Sequence, residues 1–183
     1  MALLAGLLLA ACGSSGSAAP ATSTTTEAPP SSTTTSTPTT TEAPTPEAEI
    51  EAVYRAFWDA TITANNPPDP GSPALAESMA DPMLAHVTEQ VANRLETGQA
   101  IRLPEGSLSS VSNVEVEVVG EEATVMACVV DDAVVFDRAS GLVLNDRVTS
   151  GWTRATVRLV GDGWRVVSNE YTSRSEGVDG CAP

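Results

Sequence analysis

The chain has 183 residues and a net charge of −15, with 24 Asp and Glu against nine basic residues, every one an Arg. A field of that sign repels phosphate backbones and anionic head groups, which excludes nucleic acid as a partner and membrane attachment through basic patches. Composition also divides the chain: residues 1–11 are almost wholly apolar, 12–46 are dominated by Ser, Thr, Pro, Ala and Gly, and 47–183 have the mixture of a single globular domain.

Met1 to Ala11 is too short to span a bilayer as a helix, ends in small residues of the kind a signal peptidase accepts, and reads as the core of a signal peptide. Leu9-Ala10-Ala11-Cys12, followed by Gly13-Ser14-Ser15, resembles the bacterial lipobox, in which the Cys receives diacylglycerol and becomes the new N-terminus. Cys12 is therefore the expected lipid attachment site, against the alternative of a plain secreted protein with a coincidental Cys. The basic residues that usually precede such a core are missing, as they would be if translation starts upstream of Met1. The stretch to Pro46 cannot bury apolar surface and is expected to be a disordered tether, reaching about 100 Å if polyproline-like and about 30 Å if a flexible coil. The expected location is the cell membrane, lipid-anchored and facing the extracytoplasmic side.

The domain opens at Pro46-Glu47, a helix start. Ile50, Val53, Tyr54, Phe57, Trp58 and Thr61 recur at three and four to make one broad apolar stripe, with Glu51 and Arg55 paired on the wet side. Tyr54 and Trp58 are candidate ligand-binding residues, although an aromatic stripe at helical spacing is also what a plain core looks like. Asn65 to Gly71 stops the helix. Ser72-Pro73 then offers an N-cap and first-turn pair for a short helix, and Asp81-Pro82 repeats the device for a longer one carrying Leu84, Val87, Val91 and Leu95 and closed by Gly98.

Val114, Val116 and Val118 alternate with Glu115 and Glu117, the pattern of a strand with one buried face. Glu122 to Asp137 reads as one long, bent central strand, since Ala123, Val125, Ala127 and Val129 on one face and Thr124, Met126, Cys128 and Val130 on the other leave neither side for water. Turn residues at Gly120-Glu121 and Arg138–Gly141 let its neighbours fold back. Leu142 to Val160 and Trp164 to Thr172 follow, joined at Gly161-Asp162-Gly163, with Thr153, Ala155, Val157 and Leu159 facing inward and Arg154 and Arg158 outward. Helices followed by an antiparallel sheet give an α+β layout.

With Cys12 lipidated, two cysteines remain, and an even pair outside the cytoplasm is expected to be bridged, Cys128 to Cys181, rather than left as two free buried thiols. The tail Gly177-Val178-Asp179-Gly180 is flexible enough to carry Cys181 across the sheet.

Asp81-Pro82, Ala127 to Asp132, Gly141, Gly163-Trp164-Arg165-Val166 and Gly177 to Cys181 resemble, in order and spacing, the small actinobacterial lipoproteins of the nuclear transport factor 2-like superfamily, with a SnoaL-like domain over residues 47–183. The resemblance implies a cone, with a curved antiparallel sheet wrapping the first helix and leaving a cavity open at one end. It carries no activity, because that superfamily includes ketosteroid isomerase-like and SnoaL-like enzymes as well as non-catalytic binding modules.

The chain supplies little chemistry for such a cavity. His86, the one histidine, falls beside Glu89, Gln90 and Asn93 on the wet face of its helix, with no partner for a triad or metal site. Adjacent Asp131 and Asp132 must point to opposite faces of a strand, so one of them points into the cone with a raised pKa or else the pair marks a bend. Asp131 joins Tyr54 and Trp58 as a candidate ligand-binding residue. No phosphate-binding Gly loop, nucleophile elbow or cluster of metal ligands occurs, so no catalytic residue, metal or cofactor is assigned. Three functions remain, in this order: an extracytoplasmic module binding a small apolar ligand, an interaction or scaffold protein of the cell envelope, and a small cofactor-free cone enzyme of isomerase or dehydratase type.

Overall fold

The computed structural model describes residues 44–182; the signal core, Cys12 and the tether up to residue 43 lie outside them. The first helix, α1 (Pro46–Thr63), begins at Thr45, whose hydroxyl accepts the Ala48 N–H at 3.4 Å, while Pro46 needs no amide in the first turn and Glu47 and Glu49 face the positive end of the helix dipole. Ile50, Tyr54, Phe57 and Ala60 form its buried stripe, and Val53 and Trp58 flank it half-buried. Glu51 and Arg55 pair at 2.7 Å on the outer side.

A short helix, α2 (Pro73–Ser78), starts on Pro73 alone, because the Ser72 side chain makes no capping bond. The third, α3 (Met83–Glu96), differs from the expected device in another way: Pro82 occupies the capping position, one residue before the helix, and Asp81 accepts the Ala85 N–H at 3.2 Å. Val87 and Val91 are buried, but Leu95 is 45% exposed, since the last turn of α3 runs past the core. Gly98, at φ +71°, ends the helical layer in a left-handed conformation that favours glycine.

Eight antiparallel strands follow: β1 (Gln99–Arg102), β2 (Ser110–Val119), β3 (Glu122–Asp131), β4 (Val134–Asp137), β5 (Val143–Asn145), β6 (Thr149–Val160), β7 (Gly163–Tyr171) and β8 (Ser175–Glu176). The main sheet has the order β2-β3-β6-β7, with β8 also on β6, and a smaller one the order β1-β4-β5. Ala123, Val125, Ala127, Ala155, Val157 and Val166 cover α1 with the concave face of the main sheet. Bulges between Ser112 and Glu115, where Asn113 takes φ +49°, and between Thr156 and Val157 put an extra residue on one strand of a pair and bend the sheet round the helix. Leu159, expected to face inward, is 38% exposed, because it lies beside the Gly161-Asp162 turn at the tip of the β6–β7 hairpin.

The expected single strand from Glu122 to Asp137 is two strands in two sheets. The backbone leaves the main sheet after Asp131: the Asp131 carboxylate accepts the Ala133 N–H at 3.0 Å, and the Asp132 N–H turns away to the Ser109 hydroxyl at 3.2 Å. These side-chain bonds compete with the ladder and end it.

Cys128 and Cys181 form a disulfide, with Cα atoms 5.8 Å apart and a separation of 53 residues. The tail that carries Cys181 is held by more than the bridge. Ser175 and Glu176 pair with Ser150 and Thr149, the Ser150 hydroxyl donates to the Gly177 carbonyl at 2.7 Å, and the Gly180 N–H donates back to that hydroxyl at 2.8 Å. A Cβ on Gly180 would collide with the Ser150 carbonyl, so this crossing needs glycine.

Candidate functional site

The period-three and period-four spacing of α1 that buries Tyr54 turns Trp58 to one side, toward the end of the sheet where β3 stops. There a cleft of about 280 Å³ opens between α1, the chain before β2 and the end of β3. Trp58 and Ile62 give its apolar wall on the helix side, Leu103 and Val129 the wall opposite, and Arg55, Asp59 and Asp131 its polar rim. Of the three candidate ligand-binding residues, Trp58 and Asp131 line this cleft and Tyr54 does not.

Tyr54 is a core residue. Its ring stacks on Phe57 at 6.1 Å and meets Trp58 edge-on at 6.5 Å. Its hydroxyl joins Thr153 at 2.7 Å and Asn169 at 3.1 Å, and Thr153 also donates to the Ala127 carbonyl at 3.1 Å, so helix, β3, β6 and β7 meet at one buried polar knot. Burial pushes the phenol above its ordinary pKa, and its bond with Thr153 and the nearby Trp58 indole pull against that rise. The indole N–H is buried and lies against the Tyr54 hydroxyl without making a well-formed hydrogen bond.

A second buried polar atom without a partner is the Tyr171 hydroxyl, at the end of β7. Burial and then the negative charge of Asp131 raise its pKa, and the Arg174 guanidinium, 4.7 Å from the ring centroid, works in the opposite direction. Tyr171 shares the concave face with Thr153, its partner across β6. Sequence reasoning did not single it out, and the available signal was its place two residues beyond Asn169 on an alternating strand.

Asp132 has a structural task. It is 5% exposed, and its carboxylate accepts the Ser107 and Ser109 hydroxyls at 2.6 Å each together with the Leu108 N–H. Burial alone would raise its pKa, but these donors outweigh burial and hold it below the ordinary carboxylate value. The raised pKa expected for a carboxylate buried in the cone is therefore corrected for Asp132: its oxygens tie the loop before β2 to the end of β3. Asp131 is the carboxylate of the pair that reaches open space, and it is also the one that a second cleft, between the two sheets, shares with the first.

His86 is exposed on α3, with Nε2 2.8 Å from the Gln90 amide nitrogen. Among the described residues, no three His, Cys, Asp or Glu side chains gather as a metal site, and no helix is long and apolar enough to cross a membrane.

No protein-family model matches the chain, and no curated protein is significantly similar to it. Among solved structures, the intermembrane space region of the chloroplast protein ARC6 is 22% identical, with 66% of this chain covering 92% of that one at a TM-score of 0.52, a likeness of fold alone. Kfla4162 from Kribbella flavida is 14% identical, covers 70% and 91%, and reaches 0.48. A protein of the NTF2-like family from Streptomyces avermitilis is 15% identical, covers 71% and 95%, and reaches 0.42. The architecture of this chain is the expected α+β layout, three helices against curved antiparallel sheets.

Proposed function

We propose that the protein is a lipid-anchored, extracytoplasmic, non-catalytic module that binds a small, largely apolar ligand in the cleft beside Trp58. The observation that carries this reading is the cleft itself, in which Trp58 and Ile62 face Leu103 and Val129 across an apolar space rimmed by Arg55, Asp59 and Asp131. A concave, mostly apolar pocket with a few polar groups is the usual form of a small-molecule site. The anchor and the compartment rest on the Leu9–Cys12 motif, and a disulfide suits an oxidising location. The finer resemblance to actinobacterial lipoproteins with SnoaL-like domains belongs to the same reading. Catalysis does not, since Asp132 is committed to a loop and His86 stands in solvent.

Native mass spectrometry of the full chain purified from its own host tests the reading. A co-purifying small molecule is expected, and its absence from every preparation, together with no thermal stabilisation by any apolar ligand, counts against it. A second reading, an envelope interaction protein, is favoured by Leu142, Val143 and Leu144, which are 64%, 42% and 48% exposed at the edge of the small sheet. A protein captured by cross-linking in the host and lost on replacing these three by Ser or Thr supports that alternative.

A further inference from the structure

The second cleft, about 510 Å³ between the main and the small sheet, is lined by Arg94, Arg147 and Arg174 and has Asp131 in common with the Trp58 cleft. We propose that it is a subsite for the carboxylate head of an amphiphilic acid whose apolar body lies against Trp58. This inference rests on the binding reading above and names its ligand class.

A chain with nine Arg against 24 carboxylates has few cations to place, and three of them line this one cleft. Arg94, in the last turn of α3, donates to the Asn65 side-chain oxygen at 3.2 Å. Asn65 is fully buried, and its Nδ2 is already given to the Thr61 carbonyl at 2.7 Å, which fixes the orientation of the oxygen that receives Arg94. A neutral amide orients a guanidinium without neutralising it. Burial pulls the Arg94 pKa down, so the surroundings penalise a charge that no carboxylate of the described residues balances within 4 Å. Arg174 is placed in a similar way: it donates to the Thr149 hydroxyl at 2.9 Å and lies over the Tyr171 ring, again with no acid partner among the described residues. Arg147 reaches Glu176 only at 3.8 Å, in a pair so exposed that an incoming anion displaces it at little cost.

The charge count selects the head group. Three guanidinium groups against Asp131 and Glu176 leave one positive charge, which a monocarboxylate cancels and a phosphate monoester overshoots. A planar carboxylate also matches the two-pronged face of Arg. Asp131, with one oxygen held by the Ala133 N–H, lines both the apolar and the cationic cleft and repels a head group that stops short in the first.

The test measures binding of octanoate, benzoate and naphthalene-2-carboxylate, each beside its own neutral amide, to the full chain by calorimetry and by Trp fluorescence. At least one acid is expected to bind about tenfold or more tightly than its amide, and Arg94→Gln and Arg174→Gln are each expected to remove that preference. Arg158→Gln, paired with Glu122 on the outer face, is expected to change neither. Circular dichroism verifies the fold, and the exposed Arg174 keeps the test valid if Arg94→Gln unfolds. Equal binding of acid and amide, or an acid preference that survives both substitutions, overturns the carboxylate subsite and leaves the Trp58 site standing. Failure of every acid and every amide to bind overturns both.

Discussion

Asp132 shows how a single residue decides the course of the chain. A buried carboxylate that receives two hydroxyls and a backbone N–H is anchored by charge-assisted bonds, each stronger than a neutral one. Asp132→Asn keeps the shape but removes the charge and turns an N–H₂ toward existing donors, so we expect a loss of about 2 kcal/mol in denaturant unfolding. The pH dependence has a definite sign. With the folded pKa below the ordinary value of 3.8, the Asp132 contribution is complete above that value and is lost as pH falls through the lower folded pKa. Acid unfolding curves of the wild type are therefore expected to steepen below about pH 4 relative to Asp132→Asn, and parallel curves would rule out this role. Sequence inspection recognised the adjacent carboxylates and left open whether they marked a bend or a site. What it lacked was the position of Ser107 and Ser109, residues more than 20 positions away in sequence whose hydroxyls decide the matter. Trp58 and Tyr171 present the same difficulty: their unpartnered atoms are defined by what fails to surround them, which no local pattern records.

At the scale of elements, patterns of period 3.6 and period two carried most of the layout. α1, α3, β2, β6 and β7 have faces that alternate strongly enough to be recognised. β1 does not, because Gln-Ala-Ile-Arg is only four residues long and its pairing with β4 is decided by a remote partner. The glycines of β6 and β7 distinguish two kinds of close approach. A Cβ on Gly151 would strike the Ser173 carbonyl and the Arg174 Cα, both backbone, whereas one on Gly163 would meet the movable end of Arg165. Gly151→Ala is expected to cost about 1–3 kcal/mol and Gly163→Ala less than half as much. Hydrogen exchange adds a local check, with faster exchange at Thr172 and Gly177, whose N–H groups bond to Trp152 and Val148, expected only in Gly151→Ala.

For the whole molecule, the pairing of Cys128 with Cys181 followed from counting cysteines and from the inferred compartment, and the bridge is present. The strand pairing of Ser175-Glu176 was not legible, since two residues carry no periodicity. Replacing both cysteines by Ala is expected to lower stability by about 4 kcal/mol, the chain-entropy value for closing a loop of 53 residues, as measured by urea unfolding with and without reductant. The tail should keep part of its order through its bonds to Ser150. Replacing Cys12 by Ser is expected to release the protein into the medium, and unchanged membrane fractionation of that variant would defeat the anchor. The position of the first described helix matters for such an attachment. Thr45 leads directly into α1, the helix that the concave sheet encloses, so any pull on the N-terminal segment acts on the central element and not on a peripheral one. Resistance to that pull comes from side-chain packing along the whole buried stripe and from the Tyr54 latch to Thr153 and Asn169. Drawing α1 out would open the Trp58 cleft with it, so a ligand held in that cleft is expected to raise the force at which the domain yields.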